Sequence, residues 1–345
     1  MAKRKRRPTA TTALPPNSGS GQTAPHIIKC LEQASALTGQ RPYRVFENWL
    51  QLVEVTLDML PAHLRAIART GQLAPDSPEA AETFARIRAQ HHGRDRERVS
   101  AIFGHYARAF GYLLDGTAPG LWSPDTGGGY LGPDILGEAY SLYANADVRW
   151  QAQYFTPWAV AKTLARLTVP NGPAEVHARL KQALTHPDNL LGPAVLLTGL
   201  AIDDPQEATR WFLSRVVPAA IPYVEPLKIN DPACGSGVLL LAAASQFEPW
   251  MVQSGIVQLF GQDLDETCVR MVRISCKLYG LNGFAVKLAQ AMAEVAVMDT
   301  PVLTAGQALT TARRLFATEQ SAARSRSGAP TFEALFKKSV ETSAV

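Results

Sequence analysis

The apolar positions of this chain change their period once, near Leu227. From Ile27 to about Ala118 they recur at three- and four-residue steps. Val45, Trp49, Leu52, Val53 and Leu60 share one face, and Ile102, Tyr106, Phe110 and Leu113 share another. That spacing predicts a helical N-terminal unit. Pro119 to Pro133, with Ser123-Pro124-Asp125 and the glycines 127 to 129, is turn chemistry and predicts a loop. A helix carried by Ile135, Leu136, Ala139, Leu142 and Tyr143 should follow, ending before Ala152, and another should run from about Trp158 to Leu167. Pro170 to Pro226 reads as mostly helical, with many prolines and no recognisable chemistry. Beyond it, short apolar runs alternate with helical patterns: strands at Leu227 to Asn230, Val257 to Phe260 and Phe284 to Leu288, and helices at Gly237 to Phe247 and Glu266 to Tyr279. This βαβαβ order predicts an α/β domain with a parallel sheet covered on both faces.

With 345 residues, 46% of them hydrophobic, the chain can bury a sizeable core and is expected to form two folded units. Its longest apolar runs, Val238 to Ala244 and Ala194 to Leu200, fall far short of the ~18 residues that suggest a membrane span, so a soluble protein is expected. The first residues are basic, with no apolar stretch behind them, which argues against a secretory signal and for the cytoplasm. Four cysteines (Cys30, Cys234, Cys268, Cys276) have neither zinc-ribbon nor disulfide-framework spacing, and no metal is expected.

The net charge is +4, and Lys3 to Arg7 alone contributes five positive charges, so the rest is close to neutral. Residues 1–25, basic and then rich in Thr, Pro, Ser and Gly, read as a disordered tail whose charge is not evidence for nucleic acid. Arg86, Arg88, Arg94, Arg96 and Arg98 form a second basic cluster, read as a solvated helix face, and His91 and His92 beside it lack partners at metal-ligand spacing.

The chemistry concentrates at two strand-to-helix turns. Asp231-Pro232-Ala233-Cys234-Gly235-Ser236-Gly237 follows the first predicted strand, where a glycine-rich loop lets a ligand approach the backbone. Asp231 is placed to accept from an ammonium group there. Asp263, after the second strand, is placed to accept from both hydroxyls of a ribose. A nicotinamide dinucleotide would want Gly-x-Gly-x-x-Gly, whereas residues 235–240 read Gly-Ser-Gly-Val-Leu-Leu.

Residues 231–237 resemble the cofactor motif of the adenine-specific (N6) DNA methyltransferases, especially the modification subunits of type I restriction systems. Gln153-Tyr154-Phe155-Thr156-Pro157 looks like that family's upstream Gly-Gln-Phe-Phe-Thr-Pro segment. Asp134 to Tyr140 resembles the segment leading into its pocket, and Gly261 to Asp265 looks like its ribose-binding turn. The resemblance implies a Rossmann-like methyltransferase domain dependent on S-adenosylmethionine, preceded by a helical N-terminal domain. It implies a cofactor pocket formed by Tyr154, Phe155, Thr156, Pro157, Asp231, Pro232, Ala233, Cys234, Gly235, Gly237 and Asp263. DNA and a specificity or complementing subunit are the implied partners, in a restriction-modification setting. Expected units are a tail at 1–25, a helical domain at 26–125, a cofactor domain at 126–300 with a helical insertion near 170–226, and a variable segment at 301–345.

The family's polar-Pro-Pro-aromatic tetrad, which holds the target amino group and stacks on a flipped base, has no counterpart here. Pro-Pro occurs only at Pro15-Pro16. The nearest substitute, Met298-Asp299-Thr300-Pro301, lacks the first proline and the aromatic and leaves Asp299 as the nearest catalytic candidate. Glu294 is the nearest acid for holding adenine. So little sequence follows Asp299 that the sheet is expected to be truncated. Three functions are open on these grounds: an adenine-specific methyltransferase, a catalytically incomplete subunit that binds the cofactor and associates with DNA, or an interaction protein that binds nothing small.

Overall fold

The structure is a computed structural model that describes residues 23–91, 93–117, 134–144 and 156–287. Four helices open it: α1 (Thr23–Thr38), α2 (Pro42–Thr70), α3 (Pro78–Ala89) and α4 (Arg96–Thr117). Their boundaries follow local chemistry. Pro42 stands in the first turn of α2, which closes on Gly71 at φ 70°, where the glycine N–H donates to the Ile67 carbonyl. Ser77 caps α3 by accepting from the Ala80 N–H, with Pro78 opening the helix.

The predicted helix after Asp134 is a short α5 (Ile135–Ala139) that widens into a π turn over Tyr140–Ala144. Next come α6 (Trp158–Thr168), α7 (Gly172–Leu184), α8 (Leu191–Gly199), α9 (Pro205–Trp211) and α10 (Val217–Ala220). These confirm that the stretch from Pro170 is helical. Of the residues of α8 only Gly192 is buried, and Leu191 and Leu197 face outward.

The sheet has three strands, β1 (Leu227–Asp231), β2 (Val257–Asp263) and β3 (Gly283–Lys287), all parallel and in the order β1-β2-β3. Between them lie α11 (Val238–Ala244), α12 (Pro249–Gln253) and α13 (Glu266–Tyr279). The predicted βαβαβ unit is therefore present, with two informative shifts. β1 and β2 each run further than expected, to the carboxylates Asp231 and Asp263, because parallel pairing carries Asp231 to its partner Gly261 and Asp263 to Lys287. The helix after the glycine-rich loop is shorter than the predicted Gly237 to Phe247.

α13 joins the two halves. Val269, Val272, Cys276 and Tyr279, at steps of three and four, enter the core around the sheet together with α7, α10, α11 and α12. Cys268, Met271 and Ile274, on another face, enter the core of α1, α2, α4 and α5 around Trp49, Phe46 and Tyr106. Charge borders the second contact: Arg270 Nε lies 2.7 Å from Glu54 Oε2, and Lys277 Nζ lies 2.7 Å from Asp58 Oδ1. The N-terminal helices thus share their core with the helix that follows the second functional turn.

The basic cluster is less idle than a solvated face. Arg94 donates to the Leu37 and Thr38 carbonyls and Arg98 Nε to the Leu37 carbonyl, satisfying acceptors at the C-terminal end of α1. His91 is buried, and burial beside Arg94 pushes its pKa down.

Candidate active site

β1 and β2 end side by side, so the two turns that follow them meet. In the first, Asp231 Oδ1 accepts from the Ala233 N–H at 3.1 Å, closing a turn that the preceding strand and Pro232 begin. Cys234 directs its thiol into the core against Gly261, where an added Cβ would lie 3.1 Å from the sulfur. Its N–H donates to the Gln262 carbonyl, and its carbonyl accepts from the Gly237 N–H. Burial, with Asp263 and Asp231 nearby, pushes this thiol up to about 12, so it stays protonated at neutral pH. Its observed part is to hold the turn.

Gly235 and Gly237 have φ of 52° and 91°. The second value lies where L side chains rarely go, and a Cβ there would come within 2.9 Å of Val272 Cγ2. Gly237→Ala should therefore destabilise the fold by about 1–3 kcal/mol. The check is a lower denaturant midpoint with an unchanged slope; an unchanged midpoint would show that the turn relaxes freely.

In the second turn, Asp263 accepts from two backbone groups, the Gly235 N–H at Oδ2 and the Asp265 N–H at Oδ1, each at 2.9 Å. It therefore binds the first turn to the second, and a carboxylate with about four lone-pair sites still has acceptor capacity to spare. Leu264, beside it, is 73% exposed. Asp265 caps α13 by accepting from the Thr267 N–H.

One buried polar atom at this junction has no partner among the described residues: Asp231 Oδ2. A buried carboxylate oxygen without a donor is costly, and a cationic ligand group would satisfy it. Gly235, at φ 52°, puts no side chain beside it, and Asp263 offers acceptors for hydroxyls. This set suits an amino acid joined to a nucleoside.

Residues 205–300 match the model of the N-6 DNA methylase family. The matched segment holds β1 to β3 and both turns. No solved structure matches the chain.

Of the residues expected at the methylase cofactor pocket, 231–235, Gly237 and Asp263 lie together at the two turns. Thr156 and Pro157 stand at the start of α6, with the Pro157 carbonyl accepting from the Ala161 N–H. α6 buries Ala161 and Ala165 against Val238 and Ala242 of α11, the helix that leaves the glycine-rich loop. Tyr154, Phe155, Glu294 and Asp299 lie outside the described residues.

Three residues at this junction lay inside the expected motifs but were given no role of their own. Ser236 is buried and donates to the Asp134 carboxylate. Asp134 is itself buried; desolvation pushes its carboxyl up to about 6, against the opposing hydrogen bonds from Ser236 and the Gly137 N–H. Leu264 is the third, and a large apolar side chain between two acids in a turn was the available signal for it.

Proposed function

We propose that this chain is a DNA methyltransferase of the adenine-specific type, restriction-modification-like, whose Rossmann-like domain binds S-adenosylmethionine at the β1 and β2 turns. The observation that carries the reading is Asp231 Oδ2, buried beside the glycine turn without a partner among the described residues, in a turn linked through Gly235 to Asp263. Asp231 would hold the ammonium of the methionine part, Gly235 would admit it to the backbone in a turn shaped by Gly237, and Asp263 would accept from the ribose hydroxyls. Leu264 would cover a face of the adenine. Tyr154, Phe155, Thr156 and Pro157 would complete the carboxylate end. When bound, the cofactor supplies a methyl group made electrophilic by sulfonium. The substrate is DNA, and a separate specificity subunit would select its sequence.

A second reading rests on one observation: the sequence holds Pro-Pro only at Pro15-Pro16 and so has no polar-Pro-Pro-aromatic tetrad. On that reading the chain binds the cofactor and a partner chain completes the catalytic site. Calorimetry with S-adenosylmethionine, followed by incubation of the chain with DNA and methyl-labelled cofactor, separates the two. Binding with labelled N6-methyladenine supports the first reading. Binding without transfer, converted to transfer when a partner is added, supports the second. Absence of binding overturns both.

A further inference from the structure

One short segment reaches both turns of the proposed cofactor pocket. At its start, the Asp134 carboxylate accepts from the Ser236 hydroxyl of the first turn, with Gly137 N–H held on the other oxygen at 2.9 Å. At its end, the buried Tyr140 hydroxyl is hydrogen-bonded to the side chain of Asp265 in the second turn. The turns are also linked directly, because Asp263 accepts from both Gly235 and Asp265. The links therefore close a ring: Asp134 to Ser236, Gly235 to Asp263, Asp263 to Asp265, Asp265 to Tyr140, and back along the chain. Gly137 lies inside it, and any side chain at that position would collide with the Asp134 carboxylate and the Ser236 hydroxyl. Tyr43 extends the contact from α2, its hydroxyl 3.1 Å from Thr267 Oγ1 in the first turn of α13.

We propose that the Asp134–Tyr140 segment is a brace that fixes the spacing of the two turns, with Asp134 and Tyr140 as positioning residues for S-adenosylmethionine; the ligand part of this rests on the function proposed above. The segment lies outside residues 205–300, so the methylase-like sheet takes its pocket geometry from helices that the family match does not include. A closed ring resists shear between the turns better than the single Asp263 link, because each hydrogen bond holds its neighbours in register. It also shortens what a ligand must order on binding.

The test has a ligand-free arm. Tyr140→Phe keeps the ring packing against Phe46 and removes only the hydroxyl, which touches the second turn. In the full chain, Tyr140→Phe should speed amide exchange about fivefold in the first turn, residues 232–237, as well as in 263–267. Asp134→Ala should do the same from the other side, speeding exchange in 263–267. Asp134→Asn, whose amide can still accept from Gly137 and donate to Ser236, should restore near-native exchange. If each variant loosens only the turn it touches, the brace is overturned, whether or not the protein binds S-adenosylmethionine. In the second arm, Tyr140→Phe and Asp134→Ala should each weaken S-adenosylmethionine binding about tenfold, and the double variant little more, since a ring already opened has little left to lose. Unchanged affinity in both variants, with wild-type binding intact, overturns the positioning role. Absence of binding in the wild type overturns the functional reading and leaves the exchange result to decide the brace.

Discussion

Asp231→Asn is expected to weaken S-adenosylmethionine binding by about 10- to 150-fold, the equivalent of about 1.5–3 kcal/mol for a hydrogen bond to a charged group. The substitution isolates one oxygen. Asp231 Oδ1 has a structural duty, accepting from the Ala233 N–H, and the asparagine carbonyl can take it over. Oδ2 is the buried atom with no partner among the described residues, and the amide replaces it with a donor that repels an ammonium. The melting temperature should therefore stay close to that of the wild type while affinity falls. Asp231→Ala removes both duties and should lower both. Calorimetry on the two variants, with a melting curve for each, makes the check. Wild-type affinity in Asp231→Asn would mean that the ammonium lies elsewhere.

Trp49→Ala should cost the fold about 3–5 kcal/mol, the usual range for emptying a large buried aromatic site. For a chain of this size that corresponds to a melting temperature lower by about 4–10 °C. Trp49 is fully buried on α2, its Nε1 donates to the Tyr106 carbonyl at 3.2 Å, and its ring lies 5.6 Å from that of Phe46. The shape of the transition matters as much as its midpoint. The cluster around Trp49 includes Cys268, Met271 and Ile274 of α13, the helix whose opposite face supports the sheet. Helices and sheet should therefore unfold together, in one transition that moves as a whole. Two transitions, with only one displaced, would show that the N-terminal helices fold separately from the sheet.

Much of the described fold was legible because its signals are local. α13 spans the predicted Glu266 to Tyr279, since Asp265 is a capping residue, Gly280 can adopt φ 62°, and the apolar steps between them suit a helix packed on two sides. The strands were legible as apolar runs, but their ends were not. Whether Asp231 and Asp263 close a strand or open a loop depends on pairing with β2 and β3, and a neighbouring strand leaves no mark in the local sequence. The arginine cluster followed the same rule: its composition suggested solvent, and only the end of α1 beside it gave Arg94 and Arg98 carbonyls to bind.

By itself, the sequence determined the helices of the described N-terminal residues, the βαβαβ order, and the two turns at which Asp231, Gly235, Gly237 and Asp263 stand. All of these depend on residue type and spacing along one stretch of chain. The tertiary structure alone decided that Asp263 ties one turn to the other, that Asp231 keeps one oxygen without a partner among the described residues, and that Asp134 and Tyr140 reach both turns from outside the matched segment. The reason is separation: Asp134 and Ser236 are 102 residues apart, and hydrogen bonding across such a distance depends on how the helices pack against α13, which no periodicity records.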